Sequence, residues 1–167
     1  MPMKTLLSLL IVILIAACTG SKQHKIEQEN IAVIEKYIQA VEAKDTQTMT
    51  DLLDDNYIGY GPSFSDSTNK EQAVANWKSV SENLYEKIQY TRTVNIAAKV
   101  SDGPHAGNFV SDWASLKITY KDGRGPVFLN MNAIYRIENG KITMSRTFYN
   151  EADVLRQLGY DYASSSY

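Results

Sequence analysis

The spacing of apolar residues changes once along this chain, and that change constrains the fold more than any other feature. Before residue 85, apolar residues recur every three or four positions, as in Ile31, Ile34, Ile38 and Val41, which is typical of one face of a helix. From Tyr85 onward, apolar and polar residues alternate, which is typical of half-buried strands. The sequence therefore predicts a helical first half followed by an antiparallel sheet.

Capping residues and turn residues give approximate bounds for these elements. Asp45 is placed to cap a short second helix, Thr68 with Glu71 forms a capping box for a third, and Asn150 is placed to cap a last helix that ends at Gly159. A first helix is predicted over residues 27–44 and a short strand over 57–62, followed by a polar loop over 63–68. The later strands are predicted at 86–100, 108–120, 127–137 and 141–149.

The turn after residue 138 fixes how the last two strands pair. Asn139-Gly140 readily takes positive φ at both central positions, so it predicts a tight hairpin. Helices gathered on one side of an antiparallel sheet make an α+β fold. We expect a curved sheet wrapped around the N-terminal helices in a cone shape, with an internal cavity as the default ligand site.

The first 17 residues have the pattern of a secretory signal. Lys4 gives a basic start, residues 6–15 form an apolar run too short to span a bilayer, and small residues precede Cys18. Residues 15–18 (IAAC) also resemble the bacterial lipoprotein box, which implies cleavage before Cys18 and acylation there; an ordinary signal with an incidental cysteine is the alternative. The predicted organisation is a signal peptide over 1–17, a lipidated polar tether over 18–25, one domain over 26–160 and a frayed tail over 161–167.

The net charge of -2 and the mixing of acidic and basic residues along the chain argue against nucleic acid as a partner.

Thr19 follows the cysteine, without an aspartate to suggest inner-membrane retention. By analogy with other bacterial lipoproteins, we expect a lipid-anchored envelope protein at the outer membrane, facing the periplasm. His24 and His105 lie in polar stretches, and no Cys/His cluster has zinc spacing, so no metal and no cofactor are expected.

Three stretches resemble the SnoaL-like branch of the nuclear transport factor 2-like superfamily. They are residues 33–40 (VIEKYIQA) with Asp45 and 52–57 (LLDDNY), then 135–142 (YRIENGKI), then 148–155 (FYNEADVL). The resemblance covers nearly all of residues 26–160 and implies a cone-shaped, cystatin-like fold. This fold hosts isomerases, polyketide cyclases, dehydratases and binders without catalytic activity, so it leaves the function open.

Ketosteroid isomerase, a member of that superfamily, uses a tyrosine and a protonated aspartate as an oxyanion hole and a second aspartate as base. The resemblance places Tyr37 at the tyrosine position, Gly61 at the base position and Ala133 at the protonated-aspartate position. Glycine accepts no proton and alanine donates no hydrogen bond, so that reaction by that mechanism is not expected.

Asp112 and Tyr37 are the candidate catalytic residues. On the predicted strand Asp112 shares a face with Ala114, Leu116 and Ile118, so it is a candidate base with a raised pKa. A normally titrating acid at a solvated rim is the alternative. Tyr37 is a candidate donor to a ligand carbonyl, or else a packing residue whose hydroxyl bonds the backbone.

Other residues are candidates for the cavity wall by type and strand parity, and the polar ones supply hydroxyls without an activating base. The predicted ligand-binding set is Tyr57, Tyr60, Trp77, Leu116, Ile118, Met131, Tyr135, Ser145, Thr147 and Tyr149. Asn130 and Asn132 have the opposite parity and are expected on the convex sheet face, where a homodimer can form.

Three functions remain open from the sequence. The first is an envelope lipoprotein that binds a small apolar or amphipathic molecule, as a binding or accessory protein. The second is a cofactor-free cyclase, isomerase or hydratase acting on a carbonyl-bearing molecule through Asp112 and Tyr37. The third is an interaction module that uses the sheet face for a partner.

Overall fold

A computed structural model describes the backbone of residues 3–160 and the side chains of residues 22–160. The Cys18 side chain, where acylation is predicted, and the predicted tail at 161–167 lie outside this description. The elements confirm an α+β fold with helices first and a curved, unclosed sheet after them. They are α1 (Met3–Ala43), α2 (Thr46–Leu52), β1 (Leu53–Tyr60), β2 (Ser67–Asn69), α3 (Lys70–Asn83), β3 (Tyr85–Val100), β4 (Gly107–Tyr120), β5 (Val127–Glu138), β6 (Lys141–Tyr149) and α4 (Glu151–Gln157).

Helix α1 begins earlier than the predicted residue 27 and runs through residues 18–25, which were predicted to form a tether. Side-chain pairs one helical turn apart support it there: Gln23 donates to Glu27 over 3.1 Å, and Lys25 lies 3.8 Å from the Glu29 carboxylate. Among the described residues, no helix is both long and apolar enough to cross a membrane.

The six strands form one sheet in the order β2-β1-β6-β5-β4-β3. All neighbours pair antiparallel except β1 and β6, which run parallel and bring the start of the domain against its end. Helix α1 packs across β3 and β4, α3 lies against β1, and α4 lies against β5. The helices therefore cover one face of the sheet, the concave face, and leave the convex face open.

Most of the predicted caps are confirmed, and one is displaced. The Asp45 carboxylate accepts from the Thr48 N–H over 3.0 Å, and Asn150 accepts from the Asp153 N–H over 3.1 Å. The capping box predicted for Thr68 and Glu71 is wrong by one residue, because Asn69 and Gln72 form it instead. Both pairs fit the sequence pattern, and Thr68 belongs to β2, which pairs with β1.

The hairpin between β5 and β6 is confirmed. Asn139 has φ 51° and Gly140 has φ 73°, the positive values that a tight two-residue turn requires. The turn pairs Ile137 with Ile142, and a bulge between Arg136 and Ile137 then shifts the register so that Tyr135 faces Ser145 and Ala133 faces Thr147 on the concave side. Asn130 and Asn132 lie on the convex face as predicted, where they bond the serines of β4.

Candidate functional site

A cavity of about 730 Å³ lies between α1, α3, α4 and the concave face of the sheet. Its walls combine aliphatic side chains with tyrosine rings, and it opens toward α4 and the loop before β2. Tyr37 of α1 lines it. All of the residues predicted as ligand-binding also line it: Tyr57, Tyr60, Trp77, Leu116, Ile118, Met131, Tyr135, Ser145, Thr147 and Tyr149.

A cluster of tyrosines forms the inner end of this cavity. Tyr37 and Tyr135 are buried, with their rings edge to face at a centroid distance of 6.0 Å. Burial raises the pKa of Tyr37, Tyr90 and Tyr135 well above the usual value, and the nearness of other tyrosines adds to the shift for Tyr37 and Tyr135. These phenols therefore stay neutral and keep their O–H donors throughout the physiological pH range.

Tyr57 belongs to the same cluster and is held from both sides. Its hydroxyl and the Ser145 hydroxyl are 2.7 Å apart in a buried hydrogen bond between β1 and β6. A side chain at Gly59 would place Cβ 2.5 Å from the Tyr57 hydroxyl, so the glycine leaves the space that the ring occupies. The parallel pairing of β1 with β6 thus brings together residues 88 positions apart.

Asp112 lies behind this inner end and does not line the cavity. It is completely buried, which contradicts the alternative of a solvated rim. Thr93 Oγ1 donates to its Oδ1 over 2.7 Å, while Oδ2 has no partner within the described part of the chain. Burial raises the pKa of Asp112, and the Thr93 hydrogen bond opposes the shift.

The mouth of the cavity carries the charged groups. Arg124 stacks near the Tyr160 ring, donates to the Tyr160 hydroxyl over 2.9 Å and pairs with Asp122 at 2.7 Å. Asp66 lies against Gly61, where a Cβ would come within 2.9 Å of the Asp66 carboxylate. The position predicted to lack a base therefore has an exposed carboxylate beside it, at the solvent end of the cavity and not at its inner end.

Several lining residues were missed from the sequence, among them Tyr90, Ile88 and Leu129. Leu129 shares strand parity with the predicted Met131, and that signal was available. Tyr90 shares strand parity with Ile88, but a bulge between Tyr90 and Arg92 moves the later even-numbered residues of β3 to the other face, so alternation over the whole strand does not indicate one face.

The cavity contains hydrogen-bond donors and apolar walls, and the buried acid of β4 is not among its lining residues. Neutral phenols at the inner end can donate hydrogen bonds to an acceptor oxygen, and the aliphatic walls can surround an apolar body. Asp112 is a buried acid near Tyr90 and Tyr135, but it does not line the cavity. A base that removes a proton from a ligand must come within hydrogen-bonding reach of it, and Asp112 does not in this conformation.

Comparison with solved structures supports the same fold. A LEH-like epoxide hydrolase from M. tuberculosis is 15% identical, with a TM-score of 0.60 over 79% of this chain and 90% of that one. A protein from Silicibacter sp. TM1040, proposed to be a polyketide cyclase, is 22% identical, with a TM-score of 0.62 over 78% of this chain and 95% of that one. A protein from Catenulispora acidiphila with a ketosteroid isomerase-like fold, in complex with trimethylamine, is 16% identical, with a TM-score of 0.60 over 77% and 93%.

The sequence itself identifies the family. No curated protein matches this sequence. The family of SnoaL-like polyketide cyclases matches residues 31–158, which include every element from the buried part of α1 to α4. The chain therefore belongs to the SnoaL-like polyketide cyclase family.

Proposed function

We propose that this protein binds a small apolar molecule carrying a carbonyl or other acceptor oxygen, which enters the cavity oxygen first. The observation that carries this proposal is the set of buried, neutral phenols at the closed end of a cavity whose charged residues, among them Asp66 and Arg124, are at its mouth. Its volume of about 730 Å³ lies within the usual range for sites that take a whole small molecule.

A matched pair of probes tests this orientation. 1-Tetralone and tetralin have the same fused rings and differ in one carbonyl oxygen. The ketone is expected to bind more tightly by roughly 0.5–1.5 kcal/mol, the net value of one neutral hydrogen bond. Equal affinities, measured by calorimetry, would contradict the proposed role of the tyrosines. Native mass spectrometry of the purified protein is the companion experiment, because a retained molecule would identify the ligand class directly.

A second candidate is a cofactor-free cyclase, isomerase or hydratase. Membership of a cyclase family and the burial of an acid next to the tyrosines favour it. It requires a rearrangement that brings Asp112 into contact with the bound molecule. If the recovered molecule is turned over, Asp112→Asn is expected to lower the rate on the order of 10²–10⁴-fold. Turnover that is unchanged in this variant would eliminate Asp112 as the base.

We also propose that the protein is a lipoprotein of the cell envelope, anchored by acyl chains on Cys18 at the outer membrane and facing the periplasm. The support is the IAAC sequence at residues 15–18 after a basic start and an apolar run. Cys18→Ser is expected to leave an unprocessed or soluble form. Detergent partitioning equal to wild type after signal removal would show that Cys18 is not the anchor.

A homodimer through the convex face is the last part of the proposal. Val94, Trp113, Asn132 and Phe148 are register partners in one row across four strands, and three of them are large, exposed apolar residues. Exposed apolar patches of this kind mark interaction sites. Sedimentation equilibrium over a range of protein concentrations tests it, and a purely monomeric protein would leave this face for a different partner.

A further inference from the structure

Two buried oxygen acceptors without partners belong to directly opposed residues of β3 and β4. Asn95 on β3 is the register partner of Asp112 on β4, and both side chains are on the concave side of the sheet. Among the described residues, Asn95 Oδ1 and Asp112 Oδ2 are both buried without a hydrogen-bond partner. Directly opposed residues of an antiparallel pair have side chains in contact range.

A hydrogen between these two oxygens would satisfy both. An ionised carboxylate only accepts hydrogen bonds, but a protonated one has an O–H that can donate to an amide oxygen. Asp112 Oδ1 already accepts a hydrogen bond from the Thr93 hydroxyl. Oδ2 is therefore the oxygen that remains to carry the proton. The alternative is a rotated Asn95 amide whose NH₂ group donates to an ionised Asp112.

The charge of Asp112 affects the tyrosines that line the inner end of the cavity. Its charge acts on Tyr90 of β3 and Tyr135 of β5, whose side chains line the inner end. Tyr37 of α1 and Tyr57 of β1 adjoin them and are neutral phenols. The other carboxyl group near Tyr90 is Glu42 of α1, which is exposed and accepts from the Tyr90 N–H over 2.7 Å.

We propose that Asp112 carries a proton in the resting protein, and that this proton is required for binding an anionic oxygen, such as a carboxylate, against the Tyr90 and Tyr135 hydroxyls. A neutral Asp112 leaves the phenol donors facing an uncharged wall, which suits a negative ligand oxygen. Loss of the proton places a carboxylate behind the same phenols, where it repels the ligand in a poorly solvated site. This inference rests on the proposed small-molecule function and names a ligand class for it.

The protonation state can be measured without any ligand. Infrared spectra of mature, lipidated protein in detergent, made with and without ¹³C-labelled aspartate, report protonated aspartates near neutral pH. We expect an isotope-sensitive carboxylic acid band that is lost in Asp112→Asn and retained in Glu42→Gln. Absence of the band from the wild type would overturn the proposal and indicate the rotated Asn95 amide.

The ligand part is tested with 2-naphthoate and its neutral methyl ester between about pH 5 and pH 9, where aspartates of normal pKa and the naphthoate are ionised. Naphthoate affinity is expected to fall at least tenfold as the pH rises, ester affinity is expected to stay constant, and Asp112→Asn is expected to abolish the fall. Glu42→Gln is expected to keep it. A naphthoate affinity independent of pH would overturn the inference, whereas failure of both probes to bind at any pH would overturn the proposed function itself.

Discussion

Asp112 and Trp113 are neighbours on β4, yet the first is completely buried while 59% of the second is exposed. The same contrast holds along the sheet. The concave face buries hydroxyl groups and an acid among aliphatic residues, and the convex face exposes Trp113, Phe128 and Phe148. Antiparallel sheets usually place apolar residues inside and polar residues outside. Both faces therefore contain exceptions to this pattern.

The convex face is also the more basic of the two. Arg92, Lys117 and Arg146 alternate with its aromatic residues, and Lys117 lies 5.9 Å from the centre of the Phe128 ring. The concave face instead has neutral phenols and one buried acid. The two faces therefore differ in chemistry: neutral phenols and a buried acid on the concave face, and exposed aromatic residues alternating with basic side chains on the convex face.

One residue type on the two faces gives the largest expected difference. Ile137 is 1% exposed on the concave face, and Ile96 is 47% exposed on the convex face. Ile137→Ala is expected to lower the free energy of unfolding by about 2–5 kcal/mol, because it leaves a cavity in the core. Ile96→Ala is expected to change it by less than about 0.5 kcal/mol. Urea denaturation measures both, and similar losses would mean that the convex face is covered in solution.

The turn that sets which residues face inward gives the next largest effect. Gly140→Val is expected to lower the free energy of unfolding by about 1–3 kcal/mol, because a β-branched residue is strained at positive φ. Gly140→Asn is the control, since asparagine tolerates this conformation better and should lose less. Thermal unfolding measures both variants. An unchanged melting temperature in Gly140→Val would contradict the turn and the register that it fixes.

Local chemistry explains which elements the sequence could predict. Alternation placed β3 to β5 within a residue or so at each end and β6 at its observed bounds, and the caps at Asp45 and Asn150 followed from one side chain each. Strand β2 was missed because its three residues pair with β1 and have no pattern of their own.

The sequence predicted a set of residues that line the cavity, but it did not predict how deeply each residue is buried. Parity placed the hydroxyls of Ser145 and Thr147 on the cavity side, where the structure has them. The burial of Asp112 depends on how the helices pack on the sheet, and the change of parity along β3 after Tyr90 depends on a bulge. Both are tertiary effects, to which the spacing of residues along one strand is blind.

Removal of the Tyr37 hydroxyl tests which face of the sheet binds the ligand. Tyr37→Phe removes one donor from the inner end and is expected to weaken 1-tetralone binding by roughly 0.5–1.5 kcal/mol, the net value of a neutral hydrogen bond. Phe128→Leu, on the convex face, is expected to leave this affinity unchanged. Calorimetry on both variants decides the matter. Weaker binding in Phe128→Leu but not in Tyr37→Phe would show that the ligand binds on the convex face of the sheet.

The smallest expected effect is on the stability of the convex face. Trp113→Ser removes a large side chain that is 59% exposed, so the free energy of unfolding of the monomer should change by less than about 0.5 kcal/mol. The same variant should abolish any dimer that forms through this face, because aromatic residues at the centre of an interface carry much of its binding energy. Sedimentation equilibrium and urea denaturation at low protein concentration separate the two quantities. A dimer that persists in Trp113→Ser would show that another surface holds the copies together, and a large loss of monomer stability would show that Trp113 contributes to the core despite its exposure.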